Sequence, residues 1–122
     1  MGKTTGDYAE KVKLYEKLVA TNPKVERKGD TMPYTSINGN MFSVLEKDGK
    51  MGLRLPEEER NAFIKKYKTK LFEQYGVVRQ EYVEVPDALL RKTSELKKFF
   101  DLSYVYTSSL RPKPTTKKKP SK

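Results

Sequence analysis

Apolar and polar residues alternate with a period of two between Thr31 and Leu55, which is the pattern of half-buried β-strands. Two turn signals divide this stretch, because Asn38-Gly39 and Asp48-Gly49 each favour the paired positive φ values of a two-residue type I′ hairpin turn. The sequence therefore predicts three antiparallel strands joined by two tight turns.

Counting outward from these turns assigns each side chain of the three strands to one face of the sheet. The predicted register places Thr35 opposite Phe42 and Val44 opposite Leu53. One face collects the apolar side chains that helices are expected to cover, because a slip of one residue would turn all of them to water. These side chains are Ile37, Phe42, Val44, Met51, Leu53 and Leu55.

The opposite face of the predicted sheet carries more apolar side chains than contact with water requires. Its candidate interaction residues are Met32, Tyr34, Met41, Leu45 and Arg54. Contiguous exposed apolar side chains commonly mark an interface, so this face is a candidate contact surface for a protein partner or for a second copy of the chain. The alternative is that a neighbouring segment, such as the chain between Ala20 and Thr31, folds over it.

Apolar residues at helical spacing predict three helical regions around these strands. The first covers residues 7–20. The second starts at Pro56, since proline suits the first helical position and the glutamates that follow suit the positive end of the helix dipole. The third opens at Pro86-Asp87 and resumes after Thr93, which is predicted to cap its longer part. Two further strands are predicted between the second and third regions, at 71–75 and 81–85.

These elements predict a single α+β domain at residues 7–111, in the order α-β-β-β-α-β-β-α, with helices packed on one face of an antiparallel sheet. A chain of 122 residues with 35% hydrophobic content is large enough for one core. Residues 1–6 are predicted to be a flexible N-terminus. Residues 112–122 are predicted to be a disordered basic tail, because lysines and prolines without large apolar side chains cannot offset the entropy of ordering.

The composition argues against most catalytic and metal chemistry. The chain has no cysteine and no histidine, so disulfides, thiolate ligands and imidazole bases are excluded. The consecutive glutamates 57–59 point to different faces of a helix, and the helix dipole explains them sufficiently. We therefore expect no enzyme activity, no cofactor and no metal. No apolar run approaches the roughly 20 residues of a membrane span, so we expect a cytoplasmic protein with no membrane partner.

The formal charge of +10 is concentrated at the C-terminus. Five of the 26 basic residues lie at 113–122, which leaves 21 basic and 16 acidic residues, a net charge of +5, in the rest of the chain. One interpretation is an electrostatic site for nucleic acid, and the other is a solubilising terminus beside an ordinary surface. The candidate nucleic-acid contacts are Lys65, Lys66, Lys68, Lys97, Lys98, Lys117, Lys118 and Lys119.

Three segments carry a resemblance to a known family: INGNMFSVLEKDGKMGLRLP at 37–56, EYVEVPDALL at 81–90 and ELKKFFDLSYVYTSSL at 95–110. In this order and spacing they resemble the TfoX N-terminal domain family, named for a bacterial competence regulator, over residues 8–110. The resemblance implies an α+β sandwich similar to secretion-chaperone-like domains. That fold agrees with the order of elements predicted from periodicity.

The resemblance also implies a kind of function. In the two-domain regulator, the implied action is transcriptional co-activation together with the cyclic-AMP receptor protein. This chain has a lysine tail where that regulator has a helical C-terminal half, and the family has no catalytic motif to carry over. The expectation is therefore a non-enzymatic regulatory or adaptor domain of the bacterial cytoplasm that acts by protein contact, with transcriptional or competence regulation as its setting. The alternative is a sequence-tolerant nucleic-acid binder that uses the lysines named above.

Overall fold

Four helices and five strands follow one another in the predicted order within the residues that the computed structural model describes, 3–29, 32–74 and 76–110. The helices are α1 (Lys3–Ala20), α2 (Glu57–Tyr67), α3 (Asp87–Leu90) and α4 (Thr93–Ser108). The strands are β1 (Tyr34–Ile37), β2 (Asn40–Leu45), β3 (Met51–Arg54), β4 (Leu71–Gln74) and β5 (Val77–Val85). The predicted α+β class is confirmed, with the last helical region divided into α3 and α4.

The five strands form one antiparallel sheet in the order β1-β2-β3-β5-β4. Helix α2 carries the chain past the place of β5, so β4 lies at the edge and β5 returns beside β3. The helices contribute to a single large core on one face of the sheet. We call the opposite face of the sheet the outer face.

The first hairpin turn is the one predicted. Asn38 and Gly39 have φ values of 57° and 77°, as a type I′ turn requires, and Ile37 pairs with Asn40. The side-chain amide of Asn38 also donates to the carbonyl oxygen of Ser108, and this bond joins the turn to the end of α4.

A β-bulge follows this turn and makes the predicted pairing of Thr35 with Phe42 wrong. Thr35 pairs with Ser43, and the next residue on β1 pairs with Met41, so Phe42 is an extra residue on β2. Both Phe42 and Ser43 consequently face the helices. The Phe42 ring lies 5.4 Å from the ring of Phe100. The hydroxyl of Ser43 bonds to the Tyr15 hydroxyl at 2.6 Å.

The second turn is longer than predicted. A three-residue loop at 47–49 is closed by a hydrogen bond from the backbone amide of Glu46 to the carbonyl oxygen of Lys50 at 2.8 Å. Within the Asp48-Gly49 pair only Gly49 has a positive φ, of 90°, which is the geometry of a turn followed by a left-handed glycine. Val44 therefore pairs with Gly52, and the predicted pairing of Val44 with Leu53 is wrong.

The bulge inverts the alternation of β2 and exchanges the places of two predicted side chains. Val44, predicted to meet the helices, lies on the outer face, and Leu45, predicted on the outer face, is fully buried in the core beneath the helices. Leu45 is therefore not part of an outer interaction surface. We call the cluster between the helices and the sheet the helix-side core. Its fully buried side chains include Tyr15, Phe42, Leu45, Met51, Leu53, Leu55, Val83, Leu96 and Phe100.

Several boundaries differ from the predicted ones, among them the start of α2, where Pro56 is the N-cap and Glu57 is the first helical residue. Helix α1 begins at Lys3, so residues 3–6 of the predicted flexible N-terminus are helical. Strand β5 begins at Val77, four residues before its predicted start. Lys92 occupies the N-cap of α4, so Thr93 is the first helical residue and does not cap it. The predicted tail at 112–122 lies outside the described residues.

Candidate functional site

The outer face of the sheet is covered largely by its own side chains. Val44, Phe72 and Tyr82 form a second buried cluster, which we call the outer cluster, and Val44 and Phe72 have no exposed surface. Three of the predicted interaction residues, Met32, Tyr34 and Met41, are half-buried against it. Residues 21–29, the described part of the segment that could fold over this face, meet the sheet at its edge, where Lys28 pairs with Tyr34. This face is therefore closed mainly by its own residues.

The ring of Phe72 lies directly on the backbone of Gly52. A Cβ atom at position 52 would approach the ring carbons of Phe72 to 2.6 Å, closer than carbon atoms pack. Only glycine at this position in β3 lets the ring seal the outer face.

Gly52→Ala is accordingly expected to lower the free energy of unfolding by about 1–3 kcal/mol, the usual cost of overpacking. Denaturant titration monitored by circular dichroism measures the change. In the Gly52→Ala background, Phe72→Leu should recover part of the loss, because it removes the ring that clashes. Equal stability of Gly52→Ala and the wild type would contradict the contact.

Tyr82 links the outer cluster to a pair of arginines. Its hydroxyl donates to the carbonyl oxygen of Met41 at 2.6 Å. The guanidinium carbons of Arg54 and Arg79 each lie 5.6 Å from the centre of its ring. Burial raises the pKa of Tyr82, and the charges of the two arginines offset part of that rise. Tyr82 therefore remains a neutral hydrogen-bond donor at physiological pH.

The two arginines differ in what they bind. Arg54 is half-buried, donates through Nε and Nη2 to the carboxylate of Glu81 at 2.7 Å, and reaches the carbonyl oxygen of Met41 through Nη1 at 3.3 Å. Arg79 is exposed and has no carboxylate partner among the described residues. Arg54 is thus a structural cation, and Arg79 is an oriented cation that is free to bind an anionic group.

These residues surround an open cleft of about 360 Å³ between the first hairpin turn and β5. Its lining includes Asn40, Met41, Arg54, Arg79, Gln80 and Tyr82. Arg54, the last of the predicted interaction residues, therefore belongs to this cleft and not to an apolar patch.

The N-terminal part of β5 projects beside the cleft, and we call residues 77–80 the β5 arm. All four of its residues are exposed. Val77 is 59% exposed and Val78 is 45% exposed, and the only other exposed large apolar side chain among the described residues is Val105. Among the described residues, the β5 arm is therefore the place where two exposed large apolar side chains are adjacent, whereas Met32, Tyr34 and Met41 are half-buried and Leu45 is fully buried.

Strand pairing explains why the arm is exposed. Strand β3 pairs with residues 82–85 and ends at Arg54, so it does not reach the arm. On the other side, β4 pairs with Val77 and Val78, and the register then shifts so that Leu71 pairs with Val83. Four residues of β5 thus oppose one residue of β4, and this wide irregularity carries Arg79 and Tyr82 to the rim of the cleft.

Sequence reasoning missed this arm, although one signal was present. Two successive valines follow Gly76, and adjacent strand residues point to opposite faces of a sheet, so both cannot enter the same core. The approach of Arg79 to Tyr82 had no comparable signal, because it follows from the shifted pairing with β4.

The predicted nucleic-acid lysines do not all present free charge. Lys66 and Lys98 line a groove that also contains Glu95, and Lys97 pairs with Asp101 at 2.5 Å. Lys65 and Lys68 are exposed on and just after α2, whereas Lys117, Lys118 and Lys119 lie outside the described residues.

The groove with Lys66 and Lys98 contains a hydrogen-bonded tyrosine and glutamate whose pKa values are both shifted. The Tyr67 hydroxyl donates to Glu95 at 2.5 Å. Burial together with this bond raises the pKa of Tyr67 to about 12. The same bond holds the pKa of Glu95 below its usual range, so Glu95 is ionised and neutralises part of the lysine charge.

The described residues contain neither a cluster of metal ligands nor a helix that could span a membrane. No group of three or more acidic side chains comes together there as metal ligands would. No described helix combines the length and the apolarity of a membrane span.

The segments that carry the family resemblance occupy adjoining parts of this fold. Residues 37–56 contain the two hairpin turns with β2 and β3, residues 81–90 lead β5 into α3, and residues 95–110 are most of α4. An α+β order of this kind does not by itself identify a family or a function. Comparisons with family models, with curated proteins and with solved structures find no match for this chain, so membership of the TfoX N-terminal domain family stays a prediction.

Proposed function

We propose that this domain is a non-enzymatic protein-interaction module whose contact surface is the β5 arm together with the cleft over Tyr82. The observation that carries the proposal is the exposure of Val77 and Val78 on a strand segment that pairs with β4 on one edge and has no strand partner among the described residues on the other. Exposed aliphatic side chains on an unpaired strand edge cost stability and invite association, so they commonly mark a contact surface.

Protein contact fits this surface better than nucleic-acid contact. Sheet surfaces that bind single strands use open aromatic rings on which bases stack. Here the Tyr82 ring is largely buried, and the guanidinium groups of Arg54 and Arg79 lie over it. The adjoining Val77 and Val78 offer aliphatic contacts, which suit the side chains of another protein.

The resemblance adds a biological setting to the proposal. A regulatory or adaptor role in the bacterial cytoplasm, including transcriptional or competence regulation, is the role that TfoX-like domains suggest. A surface that binds a partner and performs no chemistry of its own is what such a role needs. Nucleic-acid binding by the lysine set is the competing proposal, and it is supported only by the net charge.

The proposal predicts that a partner touches position 78 in cells. A photoreactive amino acid that replaces Val78 should yield a discrete crosslinked protein product on irradiation. The same amino acid in place of Val105 is the matched control, because Val105 is a valine with 62% exposure that lies on helix α4 and not on β5. Crosslinking at 78 and not at 105 is the expected result. No product at 78, or the same products from both positions, would contradict the proposed surface.

A further inference from the structure

We infer that the β5 arm binds an extended acidic segment of a partner protein, which adds a strand alongside residues 77–80 and places a carboxylate on Arg79. This inference rests on the proposed function and specifies the chemistry of the partner. Three features of the arm support it: a strand edge without a partner among the described residues, the Arg79 guanidinium held over Tyr82, and two adjacent valines that point to opposite faces.

The edge of the arm that faces the cleft has no strand partner among the described residues. The Leu55 amide donates to the Glu81 carbonyl oxygen at 3.0 Å, and Pro56 then leads the chain into α2 and out of the sheet. On the N-terminal side of Glu81, the arm therefore has no residue of β3 beside it. An extended peptide can satisfy such an edge through main-chain hydrogen bonds, as in other cases of strand addition.

The cation at this edge selects a negatively charged partner. The Arg79 guanidinium is held over Tyr82, so less side-chain entropy is lost when it binds a carboxylate. Two parallel N–H groups of a guanidinium match the two oxygens of a carboxylate. The formal charge of +10 adds a longer-range attraction for acidic segments.

The two valines complete the description of the partner. Val77 and Val78 are adjacent in a strand, so they point to opposite faces, and each has more than two fifths of its surface exposed. Aliphatic side chains of an added strand would cover them as cross-strand neighbours. The partner segment is therefore one that combines glutamate or aspartate with aliphatic residues in an extended conformation.

The other occupants of the arm are less well matched. A second copy of the chain brings the same charge of +10 to the contact, and like charges oppose association. A nucleic-acid strand would satisfy Arg79 but would leave the valines against a polar backbone. Binding of the peptide, competition by single-stranded DNA and hydrogen exchange in the arm distinguish these occupants from an acidic segment.

Fluorescence anisotropy tests the inference on the full chain with a labelled short peptide that alternates glutamate and valine. Arg79→Glu should weaken binding by at least about tenfold, the scale of one charge-assisted pair. The control is Lys47→Glu, which makes the same change of charge at an exposed residue in the second hairpin turn. Thermal unfolding of both variants verifies that each remains folded.

Hydrogen exchange gives the structural readout of the same experiment. The peptide should slow amide exchange within residues 77–80. A peptide with lysine in place of glutamate should not bind. Three results would each overturn the inference. They are equal weakening of peptide binding by Arg79→Glu and Lys47→Glu, competition by single-stranded DNA as strong as that by unlabelled peptide, and unchanged amide exchange in the arm. If the peptide fails in these ways while crosslinking at position 78 persists, the arm is a protein contact for a different kind of segment.

Discussion

Leu45→Asp is expected to abolish folding under conditions in which the wild type is stable. Leu45 has no exposed surface and lies in the helix-side core. Removing the buried leucine costs about 3–5 kcal/mol, and an unpaired buried carboxylate adds several more. The sum is comparable with the roughly 5–15 kcal/mol of stability of an ordinary domain. Far-ultraviolet circular dichroism with thermal unfolding measures the effect.

Val78→Asp is the matched control for this substitution. It also replaces an aliphatic strand residue by aspartate, but 45% of the Val78 side chain is exposed. Its effect on the free energy of unfolding should stay within about 1 kcal/mol, the range over which residues differ in strand propensity, because an exposed aspartate stays hydrated. A folded Leu45→Asp variant with a melting temperature like that of the wild type would place Leu45 outside the core. Because Leu45→Asp unfolds the chain, any loss of association that it causes carries no information about the interface.

Phe100→Ala is expected to cost about 3–5 kcal/mol, the second-largest effect that the structure predicts. The Phe100 ring is fully buried and packs against Phe42 with ring centres 5.4 Å apart. Truncation would leave a cavity between α4 and the bulge of β2. Chemical denaturation gives the change, and Val105→Ala on the same helix should change stability by less than about 0.5 kcal/mol. Equal effects of the two substitutions would mean that α4 does not pack through Phe100.

The elements that local sequence determines were predictable. The Asn38-Gly39 turn needs two positive φ values, and few residue pairs adopt them readily, so the first hairpin followed from two residues. The apolar stripes of α1 and α4 were predictable as well, since helical spacing alone places the apolar residues of each helix on one of its faces. Tyr15 of α1 and Leu96 and Phe100 of α4 lie on these faces and enter the core.

The register of β2 was not predictable from period two. Its bulge depends on contacts distant in sequence, because Ser43 turns inward and bonds to Thr35 at 2.5 Å and to Tyr15. Asp48-Gly49 was ambiguous as well, because it suits both a two-residue turn and the end of a three-residue loop. A shift of one residue in β2 was enough to move Leu45 from the candidate surface into the core.

The candidate site depended on those nonlocal features more than the fold did. Once Leu45 is in the core and Phe72 lies on Gly52, the predicted apolar patch is closed. Exposed apolar surface then remains on the β5 arm, where β3 ends too early to cover Val77 and Val78. The position of the proposed contact surface therefore follows from which strand residues face outward.

The orientation of Val44 and Leu45 tests that central claim most directly, through nuclear Overhauser contacts between their methyl groups and aromatic rings. The structure predicts contacts from the Val44 methyls to the rings of Phe72 and Tyr82, and none from the Leu45 methyls to either ring. Contacts from Leu45 to Phe72 or Tyr82 would contradict the bulge, reopen the outer face as an apolar surface and remove the reason for placing the interaction on the β5 arm.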